Sequence, residues 1–502
     1  MRKIKALITG LLSAIILIVC LVIPLHGSGA VSSEGNDLFI QKISGELKEI
    51  ISNSSENDLI PVYIFRKQIS DNEINTMLLS ETGINAKLYY GQDGVYSIAA
   101  PIMSSTESDV SSISNSALTM EEQSVVSPEI DNYIASRNSI IKREYVKMNA
   151  EFKDTYIPND REIKYIGSYT STIIVEATPK EILQYARLDD VEDIAYYENC
   201  IPTPALDIVM NQVQADRTTG TKSTKYNSGS GYTGKDIIIG VIEANGGRYD
   251  PNAPQLKSIN GTRLQYIPNV KLDGTTVSNS VSEHASIVTS VIVGQAYTIN
   301  GITYEGVVPD ATVYQTSVVD SEDLYTAFNV LANYGVNIIN YSASSRASAY
   351  SSMDKEIDRL VASTGITFVC SAGNTSNEDT SYAMTSPARA LNVIAVGNVD
   401  TKSHQNVARP SPYPMSTSSK YVDSSFLPNK PDVSAPGSRV SIVYPTTAKI
   451  SSGTSISTPI VTGIAAQAMQ SYPTLKGYPY AVKSVICFEC KSIACFAERW
   501  KY

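Results

Sequence analysis

Histidine is scarce in this chain, with three residues among 502. His26 ends an apolar leader, so any imidazole chemistry must use His284 or His404. A zinc peptidase that needs two clustered histidines is excluded on that count. Cysteine is nearly as sparse. Of six, Cys20 lies in the leader, Cys200 and Cys370 are isolated, and Cys487, Cys490 and Cys495 crowd the C-terminal end with the single tryptophan, Trp500. That spacing matches no closed disulfide framework, and Cys487-x-x-Cys490 lacks the second pair or histidine a zinc site needs. Basic charge is in deficit: 40 Lys and Arg against 50 Asp and Glu give a net charge of −10. A nucleic-acid partner is therefore not expected, because it would favour a basic face. Gly229 to Asp236 falls short of a phosphate-binding loop, since Asp236 stands where a magnesium-binding Ser or Thr is required and the loop precedes a strand.

What is present begins with a leader. Met1 to Lys5 is basic, Ala6 to Leu25 is almost wholly apolar, and Ser28-Gly29-Ala30 offers the small residues of a cleavage site. The expectation is a signal peptide over 1–30 and a secreted or cell-surface protein, with a membrane partner only if the segment is retained. Residues 31–205 are polar and patchy. Pro61 to Phe65 reads as a strand and Asp71 to Leu79 as a helix. Thr172 to Val175, the helix from Pro179 to Leu188, and Ile194 to Tyr197 repeat the pattern, outlining a small α+β domain of split βαβ type. Between the copies lie a Ser-rich stretch from Ser104 to Ser127, read as a loop, and a charged helix around Ile140 to Phe152.

From Asn227 the texture changes. Apolar runs at Ile237–Ile242, Thr312–Val318, Val336–Tyr341, Thr367–Ser371 and Val393–Val396 alternate with helical patterns at Glu283–Val293, Ser321–Tyr334, Met353–Ser363 and Thr458–Gln470. Strands apolar on both faces and separated by helices predict an α/β fold with a doubly wound, mainly parallel sheet and helices on both faces. Active sites of such sheets lie at the carboxyl ends of the strands.

The strongest chemical signal is Ser452-Gly453-Thr454-Ser455-Ile456-Ser457-Thr458-Pro459. A helix beginning near Pro459 would set Ser455 by its N-terminus, where free amides and the helix dipole favour developing negative charge. A Ser/Thr-rich helix cap is the bland alternative. The stretch resembles the nucleophile motif of the subtilisin-like serine peptidases, Gly-Thr-Ser-x-x-[Ser/Thr]-Pro. By that resemblance Ser455 attacks the peptide carbonyl. His284-Ala285-Ser286 looks like the family's His-Gly-Thr block, which makes His284 the general base. Ser371-Ala372-Gly373-Asn374 is similar to the block whose Asn donates to the oxyanion, here Asn374. Ser342, Ala343 and Ser344 would pair with the substrate backbone, and Ser371, Ala372 and Gly373 would line the first specificity pocket. Where the family carries Asp after the first core strand, this chain has Glu243. It is the expected orienting acid, with Asp250 and the lack of any working acid as the alternatives. The order acid, base, nucleophile is that of subtilisins, and no Gly-x-Ser-x-Gly elbow surrounds Ser455.

The resemblance implies a bacterial exported serine endopeptidase over 206–476 that acts on polypeptide substrates. Residues 31–205 become its own inhibitory propeptide, cut away near Cys200 to Lys225, with a permanent binding domain as the alternative for this segment. No cofactor is required for the chemistry, and structural calcium, common in the family, finds no acidic loop specific enough to assign. Residues 477–502 form an atypical Cys-containing tail where the family would continue with a helix and a strand. The alternative is a catalytically impaired relative that binds peptides or proteins in the same cleft.

Overall fold

A computed structural model describes residues 39–86, 120–197, 203–204, 232–299, 302–345, 349–374, 384–400 and 430–489. The leader, Cys200, His404, Cys490 and Trp500 lie outside these residues. The chain divides into two compact units, one drawn from 1–67, 152–164 and 172–198, the other from 68–151, 165–171 and 199–502.

In chain order, α1 spans Gly45–Asn53, β1 Ile60–Arg66, α2 Asp71–Thr82, α3 Met120–Tyr156, β2 Ile163–Ile166, β3 Ile173–Ala177, α4 Pro179–Ala186 and β4 Val191–Tyr196. The two-residue strand β5 is Thr203–Pro204. Then come β6 Ile238–Glu243, β7 Leu264–Tyr266, α5 Glu283–Val293, β8 Thr312–Ser317, α6 Ser321–Asn333, β9 Ile338–Tyr341, β10 Ala343–Ser344, α7 Ser352–Thr364, β11 Thr367–Ser371, β12 Ile394–Asp400, β13 Val433–Val443, β14 Ala448–Ser452, α8 Thr454–Ser471 and α9 Pro479–Glu489.

The smaller sheet has the order β2-β3-β1-β4, with β1 antiparallel to both neighbours. Helix α4 starts where Pro179 at its first turn and a Thr178–Glu181 capping box predict it. Its apolar side meets Val62, Ile64, Val175 and Ile194 in a core separate from that of the larger sheet. The charged helix expected around Ile140 to Phe152 is longer, running 37 residues as α3, so the end of the Ser-rich stretch from residue 120 is helical and not loop. Glu and Gln in that stretch are good helix formers and outweigh the neighbouring serines.

The larger sheet has eight strands in the order β14-β13-β12-β11-β9-β6-β8-β7. Seven are parallel, and only the edge strand β14 runs antiparallel, against β13. Strands β9 and β11 are buried along their whole length, as expected of parallel strands covered on both faces. Ile239 and Val241 of β6 face a core shared with Val288, Ile292, Ile460 and Ala465 of α5 and α8. Helix α6 covers the other face, with Leu331 against Gly240 and Phe328 stacked on Phe368, and α7 packs beside α6. The doubly wound expectation holds.

Two predictions about element ends need correction. Helix α8 begins at Thr454, not near Pro459, which lies inside it. The carbonyl of Gly453 accepts from Ile456 and Ser457, and Asn374 accepts from the Thr454 amide, so the first turn closes ahead of the proline. The tail also keeps a helix: α9 runs to Glu489, with Val482 and Ile486 in the main core.

Candidate active site

Parallel pairing sets the site. Tyr341 of β9 lies opposite Ile242 of β6 and Cys370 of β11. The next residue on each strand, Ser342, Glu243 and Ser371, therefore forms one row along the carboxyl edge of three adjacent strands. That is the edge where open α/β sheets build their sites.

Glu243 ends β6 and is 1% exposed. The chain then turns through Asn245 at φ 53° and Gly246 at φ 64°. Helix α5 begins after Ser282, whose side chain accepts from the Ala285 amide, so His284 sits in its first turn. Glu243 Oε1 lies 2.7 Å from His284 Nδ1, with both side chains buried. The same oxygen accepts from the Ala244 amide at 3.1 Å, while Oε2 has no hydrogen-bond partner among the described residues. Asp250 instead uses its carboxylate on the Asn252 amide, and its own amide donates to Ser286 Oγ. Of the two acids the sequence offers, Glu243 is the one the structure joins to His284.

Ser455 stands in the first turn of α8 and is fully buried. Among the described residues its Oγ has no hydrogen-bond partner, His284 included. The helices carrying the two residues pack together. Lys449 of β14 also ties to Glu283, next to His284, at 2.8 Å.

Asn374 comes just after β11 and meets the helix that carries Ser455 directly. Its Oδ1 accepts from the amide and the hydroxyl of Thr454, both at 3.0 Å. Those two bonds fix the amide plane and leave Nδ2 as the donor. Gly373 just before it has φ 99°, and a Cβ there would lie 2.5 Å from Thr385 Oγ1, so only glycine fits. Ser371 Oγ donates to the Ala343 carbonyl at 3.1 Å, linking the end of β11 to the segment Ser342 to Ser344.

Sequence reasoning missed three features. Asn340 donates to Ser342 Oγ and accepts from Thr462 Oγ1, both at 3.0 Å, bracing β9 against α8. It stands two residues before Ser342, close enough to the expected Ser342 to Ser344 segment to be noticed. Gly247 carries no signal, yet its missing side chain leaves room for Glu243. Thr203–Pro204 pairs antiparallel with Ala343–Ser344, Pro204 opposite Ala343 and Thr203 opposite Ser344. Among the described residues no group of three His, Cys, Asp or Glu side chains is placed to hold a metal, and no helix is long and apolar enough to cross a membrane.

Residues 234–488, about half the chain, match the Subtilase family. Subtilisin DY of Bacillus licheniformis is 25% identical over 252 residues, covering 49% of this chain and 81% of its own length. A thermostable alkaline protease of Halalkalibacterium halodurans is 33% identical over 182 residues, covering 35% of this chain and only 44% of its own. The crystal structure of fervidolysin from Fervidobacterium pennivorans, a keratinolytic enzyme related to subtilisin, aligns with a TM-score of 0.44 at 17% identity, over 68% of this chain and 55% of that one. With a mainly parallel sheet and a family match over its core, the chain belongs to the subtilase family of serine proteases.

Proposed function

We propose that the protein is an exported serine endopeptidase with Glu243, His284, Ser455 and Asn374 as its catalytic residues. The buried 2.7 Å contact between Glu243 and His284 Nδ1 carries this reading. With Nδ1–H donated to the carboxylate, Nε2 is left as the base. It takes the proton of Ser455 Oγ as that oxygen attacks the peptide carbonyl carbon. The tetrahedral oxyanion accepts from Asn374 Nδ2 at the positive end of α8. The C–N bond then breaks, His284 returns its proton to the leaving amine, and water hydrolyses the acyl-enzyme by the same relay in reverse. No cofactor enters these steps.

Ser342 to Ser344 are the strand that receives the substrate backbone, and Ser371 to Gly373 line the pocket for the residue before the cut. The antiparallel pairing of Thr203–Pro204 with this strand supports the reading, since recognition by strand addition uses such an edge. It also supports residues 31–205 as the chain's own propeptide, occupying the cleft in cis until a bond beyond Pro204 is cut.

A fluorophosphonate probe tests the reading. It should label the purified, processed protein, and Ser455→Ala should abolish labelling. A processed wild type that stays unlabelled would favour a peptide-binding role for the cleft.

A further inference from the structure

Helix α3 belongs, up to residue 151, to the same compact unit as the peptidase core. Its buried residues Ile130, Tyr133, Arg137, Ile140, Ile141 and Tyr145 recur at helical spacing and form one continuous stripe. Ile134 lies against Gly477, where an added Cβ would stand 3.1 Å from its side chain.

Buried polar groups of the core are completed by this same stretch of chain. Lys476, 1% exposed, places Nζ 3.0 Å from both carboxylate oxygens of Asp131 and 3.2 Å from the Asp236 carbonyl. Arg137 donates to the Ser363 carbonyl at the end of α7 and to Asp71, each at 2.7 Å. Glu356 of α7, fully buried, accepts from Thr170 Oγ1 at 2.6 Å, and Asn329 of α6 donates to the Tyr165 hydroxyl at 3.2 Å. The Tyr165 ring packs on Tyr325 with centroids 5.2 Å apart. Removing this stretch would take from Lys476 its carboxylate partner and from Glu356 the Thr170 hydroxyl, a loss that a folded protein resists.

We infer that residues 120–151 and 165–171 are a standing part of the peptidase and not a removable cover. When the chain is cut beyond Pro204, the N-terminal piece stays on the core as a second, non-covalent chain. Only the segment from Thr203 to the new chain end must leave the substrate strand. The two-chain consequence rests on the self-cutting reading above; the standing of α3 in the core does not.

Peptide-resolved hydrogen exchange on the full-length Ser455→Ala chain tests the structural half without any cleavage. Amides of residues 130–149 should exchange within about 10-fold of those of α8, as one cooperative unit does. Exchange more than about 10-fold faster than α8 overturns the inference. Gel filtration of processed wild type in high salt tests the consequence. The two pieces should co-elute, and an N-terminal piece that elutes alone overturns it. A wild type that never cuts itself would count against the proposed activity, while the exchange result would still decide where α3 belongs.

Discussion

Glu243 occupies the space that a side chain at Gly247 would need: its Cγ lies 2.6 Å from where a Cβ at residue 247 would stand. The extra methylene by which Glu exceeds the family's Asp is thus accommodated by a glycine four residues on, and the carboxylate still reaches His284 at 2.7 Å. The pair is fitted for glutamate.

Glu243→Asp alone should therefore lower kcat/KM, because the shorter side chain withdraws from Nδ1. Gly247→Ala should lower it too, by pushing Glu243 aside. Loss of the orienting acid costs up to about 10⁴-fold, and each single variant should fall roughly 10²- to 10⁴-fold. The double variant should recover part of the loss. Steady-state kinetics on a chromogenic peptide check this, and a gain in turnover for Glu243→Asp alone would refute the fit.

Asn374→Ala should reduce kcat by about 100- to 1000-fold with little change in KM, the loss known for such a donor within the subtilisins themselves. The split between the two constants separates this from a general weakening of the cleft. Equal loss in both would assign Asn374 to binding.

Thr462→Val removes the hydroxyl that donates to Asn340 Oδ1 at 3.0 Å. Asn340 is fully buried, so its oxygen is left unmet at a cost of about 1–3 kcal/mol. Urea unfolding in the Ser455→Ala background should show that loss as a lower midpoint at unchanged slope. KM should rise as Ser342 loses its brace, and an unchanged KM would detach Asn340 from the substrate strand.

Burial pushes the Asp354 carboxyl up to about 6, against the pull of its hydrogen bonds from Ser386 and Ser351 and of nearby Arg389. A raised folded-state pKa favours the protonated form in the fold. The contribution to stability is therefore complete below the ordinary value of 3.8 and is lost as pH rises through about 6. The full swing is on the order of 3 kcal/mol. Asp354→Asn should remove this component, so the stability difference between parent and variant should drift by that order between pH 4 and pH 7. Urea titrations at several pH values measure it, and a flat difference would show that burial does not raise the Asp354 carboxyl.

Much of the fold is written in local pattern. The buried strands β6, β8, β9 and β11 are apolar runs that could hardly be anything else, and their alternation with helices announces a parallel sheet. Strands β13 and β14 were not legible. Pro436 and Gly437 are poor strand formers, and pairing with β12 is what makes the segment from Val433 a strand. The start of α8 was misjudged for a similar reason, since Asn374 and Gly453, not the proline, set its first turn.

The residue types needed for acyl transfer, their order along the chain and the strand ends that carry them were all set by the sequence, because short motifs encode chemistry and periodicity encodes strands. Which acid meets His284, which amide group braces the Ser455 helix, and which stretch of chain completes the buried charges at Lys476 and Glu356 were decided only in three dimensions. Those choices depend on close approach between residues far apart in sequence, and no local pattern records which distant side chain will fill a given space.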